Sequence, residues 1–81
     1  MKAVIKQNGE TRICDIIPGQ KVKHPKGFWG HVLMIGEDNS EPPLPRILMN
    51  HDGFVSSKKE GVYPDELQLL EKDFIKGEKI F

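Results

Sequence analysis

Asn8-Gly9 lies between two short alternating runs and commits the start of the chain to a β-hairpin. A type I′ turn needs positive φ at both central residues, and Asn followed by Gly is the pair that accepts it most readily. Placing Gln7 opposite Glu10 fixes the rest of the register: Ile5 faces Arg12, Val4 faces Ile13, Ala3 faces Cys14 and Lys2 faces Asp15. Ala3, Ile5 and Cys14 then share one side, Val4 and Ile13 share the other, and Lys2 with Asp15 makes a cross-strand charge match. The hairpin is expected to occupy residues 1–17 and to bury Cys14 as an inert thiol.

The remainder is cut into short pieces by Gly and Pro. Pro18-Gly19 is a turn, and Lys21–His24 is a short strand stopped by Pro25, which also pushes His24 into an extended conformation. Lys26–Gly30 reads as a loop. The apolar run Val32–Ile35 belongs to a strand, His31–Ile35, that ends at Gly36. Glu37–Pro45 is a polar, proline-rich loop, and Arg46–Asn50 is a strand. Asp52-Gly53 turns the chain into a further strand, Phe54–Ser57, and Lys58–Gly61 is a polar turn. Val62-Tyr63 is extended, Pro64–Leu67 is one helical turn with Pro at its favoured first position, and Gln68–Leu70 closes the series. The tail, 71–81, is compatible with a short helix, a docked strand or a frayed end. About six short strands with no long helix predict a small all-β barrel or a pair of packed sheets.

The chain has 81 residues, which fits one domain. At this length about 60% of the extended surface is buried, enough for one small core and too little for separate cofactor and substrate domains. Hydrophobic residues at 37% exclude a disordered tail, and charged residues at 30% interrupt every run that could span a bilayer. Lys+Arg and Asp+Glu are both 12, yet residues 1–36 carry six basic and two acidic side chains, and residues 37–81 carry six and ten. Neutrality overall argues against a protein that coats DNA through charge alone, while leaving room for a local basic patch. A single cysteine, with no apolar leader near Met1, predicts a cytoplasmic protein.

Three stretches, Gly19-Gln20-Lys21-Val22, Pro25-Lys26-Gly27-Phe28-Trp29-Gly30-His31-Val32 and Val62-Tyr63-Pro64-Asp65-Glu66-Leu67-Gln68-Leu69-Leu70, share a pattern. A strand enters with Gly-x-x-Val, a loop presents Gly-x-x-Gly-x-Val, and a one-turn helix leads into a last strand. Residues 18–70 thereby resemble an SH3-like barrel of the KOW/Tudor type. The first hairpin has no counterpart in the minimal barrel, and the proline loop is longer than usual. The resemblance implies an SH3-like barrel of five to six short antiparallel strands and a recognition module. Partners of such modules include nucleic-acid machinery, ribosomal RNA, methylated side chains and proline-rich peptides.

The richest chemistry is in Lys21, Lys23, His24, Lys26, Phe28, Trp29 and His31, with Tyr63 added from the closing segment. Basic groups meet phosphates, and a glycine-flanked aromatic can stack on a base or a peptide. One of Phe28 and Trp29 is expected to fold back as a lid over the core, with Trp29 the candidate for ligand contact. His24, His31 and His51 lack the spacing and cysteine partners of a metal site, so no metal or cofactor is expected. Cys14 has no nearby base, and Ser56-Ser57 lacks a nucleophile elbow, so catalysis is not expected. Glu41–Arg46 reads as a stiff connection shielding a sheet edge. The sequence therefore points to a small non-enzymatic binding module associated with nucleic-acid machinery, with a protein or nucleic acid as partner and no membrane role. The alternative is a protein–protein adaptor or inhibitor, possibly homo-oligomeric through the first hairpin.

Overall fold

A computed structural model of the chain describes residues 1–53 and 59–79. It is a small all-β domain whose strands form two antiparallel sheets. The first sheet contains β1 (Lys2–Gln7), β2 (Glu10–Asp15) and β8 (Phe74–Lys79), with β2 in the middle. The second contains β3 (Lys21–Lys23), β4 (Trp29–Glu37), β5 (Pro45–Asn50), β6 (Lys59–Val62) and β7 (Gln68–Leu69), in the order β6-β5-β4-β3-β7. The closed barrel expected from the sequence is not formed: β6 and β7 are opposite edges of the five-stranded sheet, and the hairpin joins β8 in a separate sheet.

The hairpin has the predicted register, from Gln7 opposite Glu10 to Lys2 opposite Asp15. Asn8 and Gly9 both take positive φ, 53° and 78°, as a type I′ turn requires. Ile5 and Cys14 point inward and are fully buried, while Val4 on the other side is exposed. Burial pushes the Cys14 thiol up to about 11, with the Asp15 charge adding to it, so the group stays neutral. The core lies between the sheets. Ile5, Cys14 and Phe74 come from the first, and Val22, Val32, Ile47, Met49, Val62 and Leu69 from the second, with Ile16, just past β2, and Leu67 beside them. Each fully buried aliphatic side chain contributes about 1.5–3 kcal/mol. Gln7 ties the layers together: its side-chain amide donates to the Leu69 carbonyl (3.0 Å) and accepts from the Leu69 N–H (2.9 Å).

Several segments differ from the sequence expectation for definable reasons. β4 begins at Trp29 and runs through Gly36 to Glu37, so the Lys26–Gly30 loop is shorter than predicted and Gly36 does not end the strand. A bulge between Val32 and Met34 lets β4 continue beside β5. Lys59–Val62 is a strand and not part of a polar turn. Its polar sequence misleads because Lys59 faces solvent, Gly61 lies under the Arg46 guanidinium on the outer side, and inward-facing Glu60 is met by His24 (2.9 Å). The expected strand Phe54–Ser57 lies outside the described residues. The Pro64–Leu67 turn is a 310 turn, Pro64–Glu66. The tail docks as a 310 turn, Glu71–Asp73, followed by β8, with Arg12 over the Phe74 ring (4.3 Å to the centroid) and paired with Glu71. No helix among the described residues is long and apolar enough to cross a membrane.

Candidate recognition face

Strand pairing decides which side chains share the outer face of the five-stranded sheet. Lys21 is opposite His31, Lys23 opposite Trp29, and Gln68 opposite Lys23, while Val22, Gly30 and Leu69 alternate inward. Further along, Met34 is opposite Leu48, Gly36 opposite Arg46, Leu48 opposite Gly61 and Asn50 opposite Lys59. The outward positions therefore carry Lys21, Lys23, Arg46 and Lys59 and no carboxylate. Trp29 lies at one end, where the Lys21 and Lys23 ammonium groups are 5.5 and 5.9 Å from its ring centroid, within cation–π range. Arg46 lies toward the other end, donating to the Gly61 carbonyl (3.3 Å) with its guanidinium 5.4 Å from the Tyr63 ring centroid. Half-buried Leu48 and exposed Met34 form an apolar strip between the two ends.

The Trp29 end is held rigidly. A Cβ on Gly30 would sit 1.9 Å from the Asn50 carbonyl oxygen, so only glycine lets β4 and β5 come this close. The Asp52 N–H donates to the Trp29 carbonyl (2.9 Å), and the His31 N–H donates to the Asn50 side-chain oxygen (2.6 Å). Asp52, at the end of the face, is engaged by His31 Nδ1 (2.9 Å).

Beside this face, and turned the other way, is an aromatic stack. His24 is 5% exposed and stacks on Phe28 (centroids 4.3 Å apart, planes 13° apart), and Phe28 stacks on His51 (3.8 Å, 15°). The Lys26 N–H donates to His24 Nδ1 (2.9 Å), so the ring proton belongs on Nε2, which faces the Glu60 carboxylate. Phe28 packs against the core and is the residue that folds back.

The eight residues singled out in the sequence thus separate into three places. Lys21, Lys23, Trp29 and His31 share the outer face. His24 and Phe28 form the stack, with Lys26 exposed at the loop between them. Tyr63 belongs to the other end of the sheet, where its hydroxyl donates to Asp38 (2.9 Å). Asp38 also accepts from the N–H groups of Leu44 and Ser40, which hold its carboxyl down at about 2, with help from the Tyr63 and Ser40 hydroxyls. The same Asp38 contact raises the Tyr63 phenol above its ordinary value. Sequence reasoning missed Arg46, Lys59, Met34 and Leu48 as neighbours on this face. The signal that finds them is the β4–β5–β6 register, which a turn assigned to Lys58–Gly61 conceals.

No cluster of three or more metal-ligating side chains occurs among the described residues. Comparison with protein-family models, curated proteins and solved structures finds no match.

Proposed function

We propose that the chain is a non-enzymatic, SH3-like recognition module of the cytoplasmic nucleic-acid machinery, and that it binds a polyanionic partner on the outer face of the five-stranded sheet. One observation carries this reading: four cations and the sole tryptophan share the outward positions of that sheet with no carboxylate among them. Lysine and arginine along a surface track phosphates, and an aromatic ring among them offers a stacking platform that accepts any base. The SH3-like part of the proposal is supported by the 310 turn Pro64–Glu66 and the strand Gln68–Leu69, which lie where the resemblance puts a one-turn helix and last strand.

Trp29 is the only tryptophan, so its fluorescence reports on this face alone. Titration with a single-stranded oligonucleotide of about 10 nucleotides, within the site sizes of small β domains, should give saturable quenching at low salt. Affinity should fall steeply as salt rises, and Trp29→Ala, followed through a labelled oligonucleotide, should lose roughly 1–3 kcal/mol of binding. Absence of saturable binding at low salt, or equal affinity for Trp29→Ala, would overturn the reading in favour of a protein–protein adaptor.

A further inference from the structure

A concavity lies outside the outward positions of the basic face. It is a groove of about 490 Å³ between β1 and the 310 turn, and it shares no lining residue with the outward positions described above. Its size is that of a ligand cleft, in the range of roughly 300–1,000 Å³. Val4 and Leu44, each 48% exposed, line it together with Tyr63 and Pro64. Two large aliphatic side chains half in water beside an aromatic ring and a proline make an apolar floor that the described residues leave open.

The floor is preset. The Tyr63 hydroxyl donates to Asp38, the Arg46 guanidinium lies over its ring, and the Leu44 N–H donates to the same carboxylate (2.9 Å). A partner would lose little entropy ordering these groups. Asp65 and Glu66 form one rim, and among the described residues neither takes part in an ion pair. Lys2, on the β1 side, is likewise in no ion pair among the described residues, because Asp15 across the strand pair is held by the Met1 ammonium (3.1 Å). Two carboxylates against one cation leave the uncommitted charge of the groove net negative. β1 is also the edge strand of its sheet, so an extended segment laid along it can bond the row of backbone groups facing away from β2.

We infer that this groove receives an extended segment of a protein partner in which arginine or lysine stands beside apolar side chains, the cation meeting Asp65 and Glu66. A second copy of the chain is a poorer occupant. Antiparallel pairing of two β1 strands about Val4 would set Lys2 against Lys6, a like-charge pair. The domain would then join a polyanion on one face to a protein on another.

The test is selection from a displayed library of random peptides of about ten residues against the intact protein. Enriched peptides should carry a basic residue next to apolar ones. They should bind the Asp65→Lys, Glu66→Lys double variant and Val4→Glu about tenfold or more weakly, with circular dichroism confirming that each variant is folded. Trp29→Ala should bind the same peptides as wild type, so this result and the oligonucleotide titration stand or fall separately. The inference is overturned if no peptide is enriched, if enriched peptides lack a basic residue, or if the groove variants bind them unchanged. It is equally overturned if the protein self-associates and Val4→Glu restores the monomer, since a second copy then fills the groove.

Discussion

Phe28 and Trp29 are adjacent in sequence and end up in opposite environments. Phe28 is sandwiched between His24 and His51 and packs on the core, whereas Trp29 lies on the outer sheet face under two ammonium groups. Nothing in the side chains themselves decides this; both are large, aromatic and flanked by glycine. The decision comes from the backbone. Phe28 is the last residue of the turn, its carbonyl accepting from the His24 N–H, and Trp29 is the first residue of β4, registered against Lys23. One step along the chain turns a stabilising contact into an available surface. An aromatic cluster next to lysines is therefore informative about recognition only once the strand boundary is known.

The largest expected effect removes both environments together. Gly30→Ala drives a methyl group into the Asn50 carbonyl, a backbone atom that cannot move without separating β4 from β5. It should destabilise by about 3 kcal/mol, read as a lower urea midpoint, and it should broaden the NMR signals of Trp29 and Phe28 alike. A midpoint within error of wild type would mean that β4 and β5 are further apart than described.

Phe28→Ala against Trp29→Ala sharpens the contrast most directly. Removing Phe28 unstacks both histidines and should cost about 2–3 kcal/mol in urea denaturation, toward the low end for a buried aromatic because Phe28 is only partly covered. Trp29→Ala loses two marginal cation–π contacts and should cost about 1 kcal/mol or less. Equal losses would erase the distinction.

A smaller effect separates the far end of the sheet from the Trp29 end. The N–H groups of Leu44 and Ser40 and the hydroxyls of Tyr63 and Ser40 hold the Asp38 carboxyl at about 2, below its ordinary 3.8. A carboxyl lowered in the folded state contributes fully above its unfolded value and loses that contribution as pH falls through the folded one. The Leu44 amide and Tyr63 ring signals should shift between about pH 4 and pH 2, Asp38→Asn should abolish the shift, and the Trp29 indole signal should not follow. A Trp29 response with the same midpoint would show that the two ends move as one.

The smallest effect concerns Cys14. Its thiol, raised to about 11 by burial and then by Asp15, should react with iodoacetamide only slowly in the native state at pH 8. A raised thiol contributes fully below its ordinary 9.0, and that contribution declines as pH climbs from 9.0 toward 11. Rapid native labelling would show that the hairpin opens.

The hairpin was legible residue by residue because Asn8-Gly9 sets both turn type and register without help from the rest of the chain. The turns at Pro18-Gly19 and Asp52-Gly53 and the 310 turn after Tyr63 were legible for the same local reason. What could not be read was whether the strands close on themselves. That depends on where the tail docks, and β8 pairs with β2 across nearly the whole length of the chain. For the candidate face, Lys21, Lys23, Trp29 and His31 were legible because two short neighbouring segments bring them together. Arg46 and Lys59 were not, since the β4–β5 register sets Arg46 opposite Gly36 and the β5–β6 register sets Lys59 opposite Asn50. His24 misled because a basic residue between lysines reads as surface, whereas its neighbours Lys26 and Glu60 satisfy both ring nitrogens in the interior.

The most direct test of the account is the salt dependence of oligonucleotide binding in single lysine variants. Plotted as log affinity against log salt, the wild-type slope counts the phosphates neutralised. Lys23→Gln and Lys59→Gln stand at different places on the outer sheet face, and each should make that slope shallower by about 0.7, the value for one contact to a single strand. Lys6→Gln, an exposed lysine on β1 in the other sheet, should leave it unchanged. Slopes that are identical in all four proteins, or that change most for Lys6→Gln, would contradict the assignment of recognition to this face.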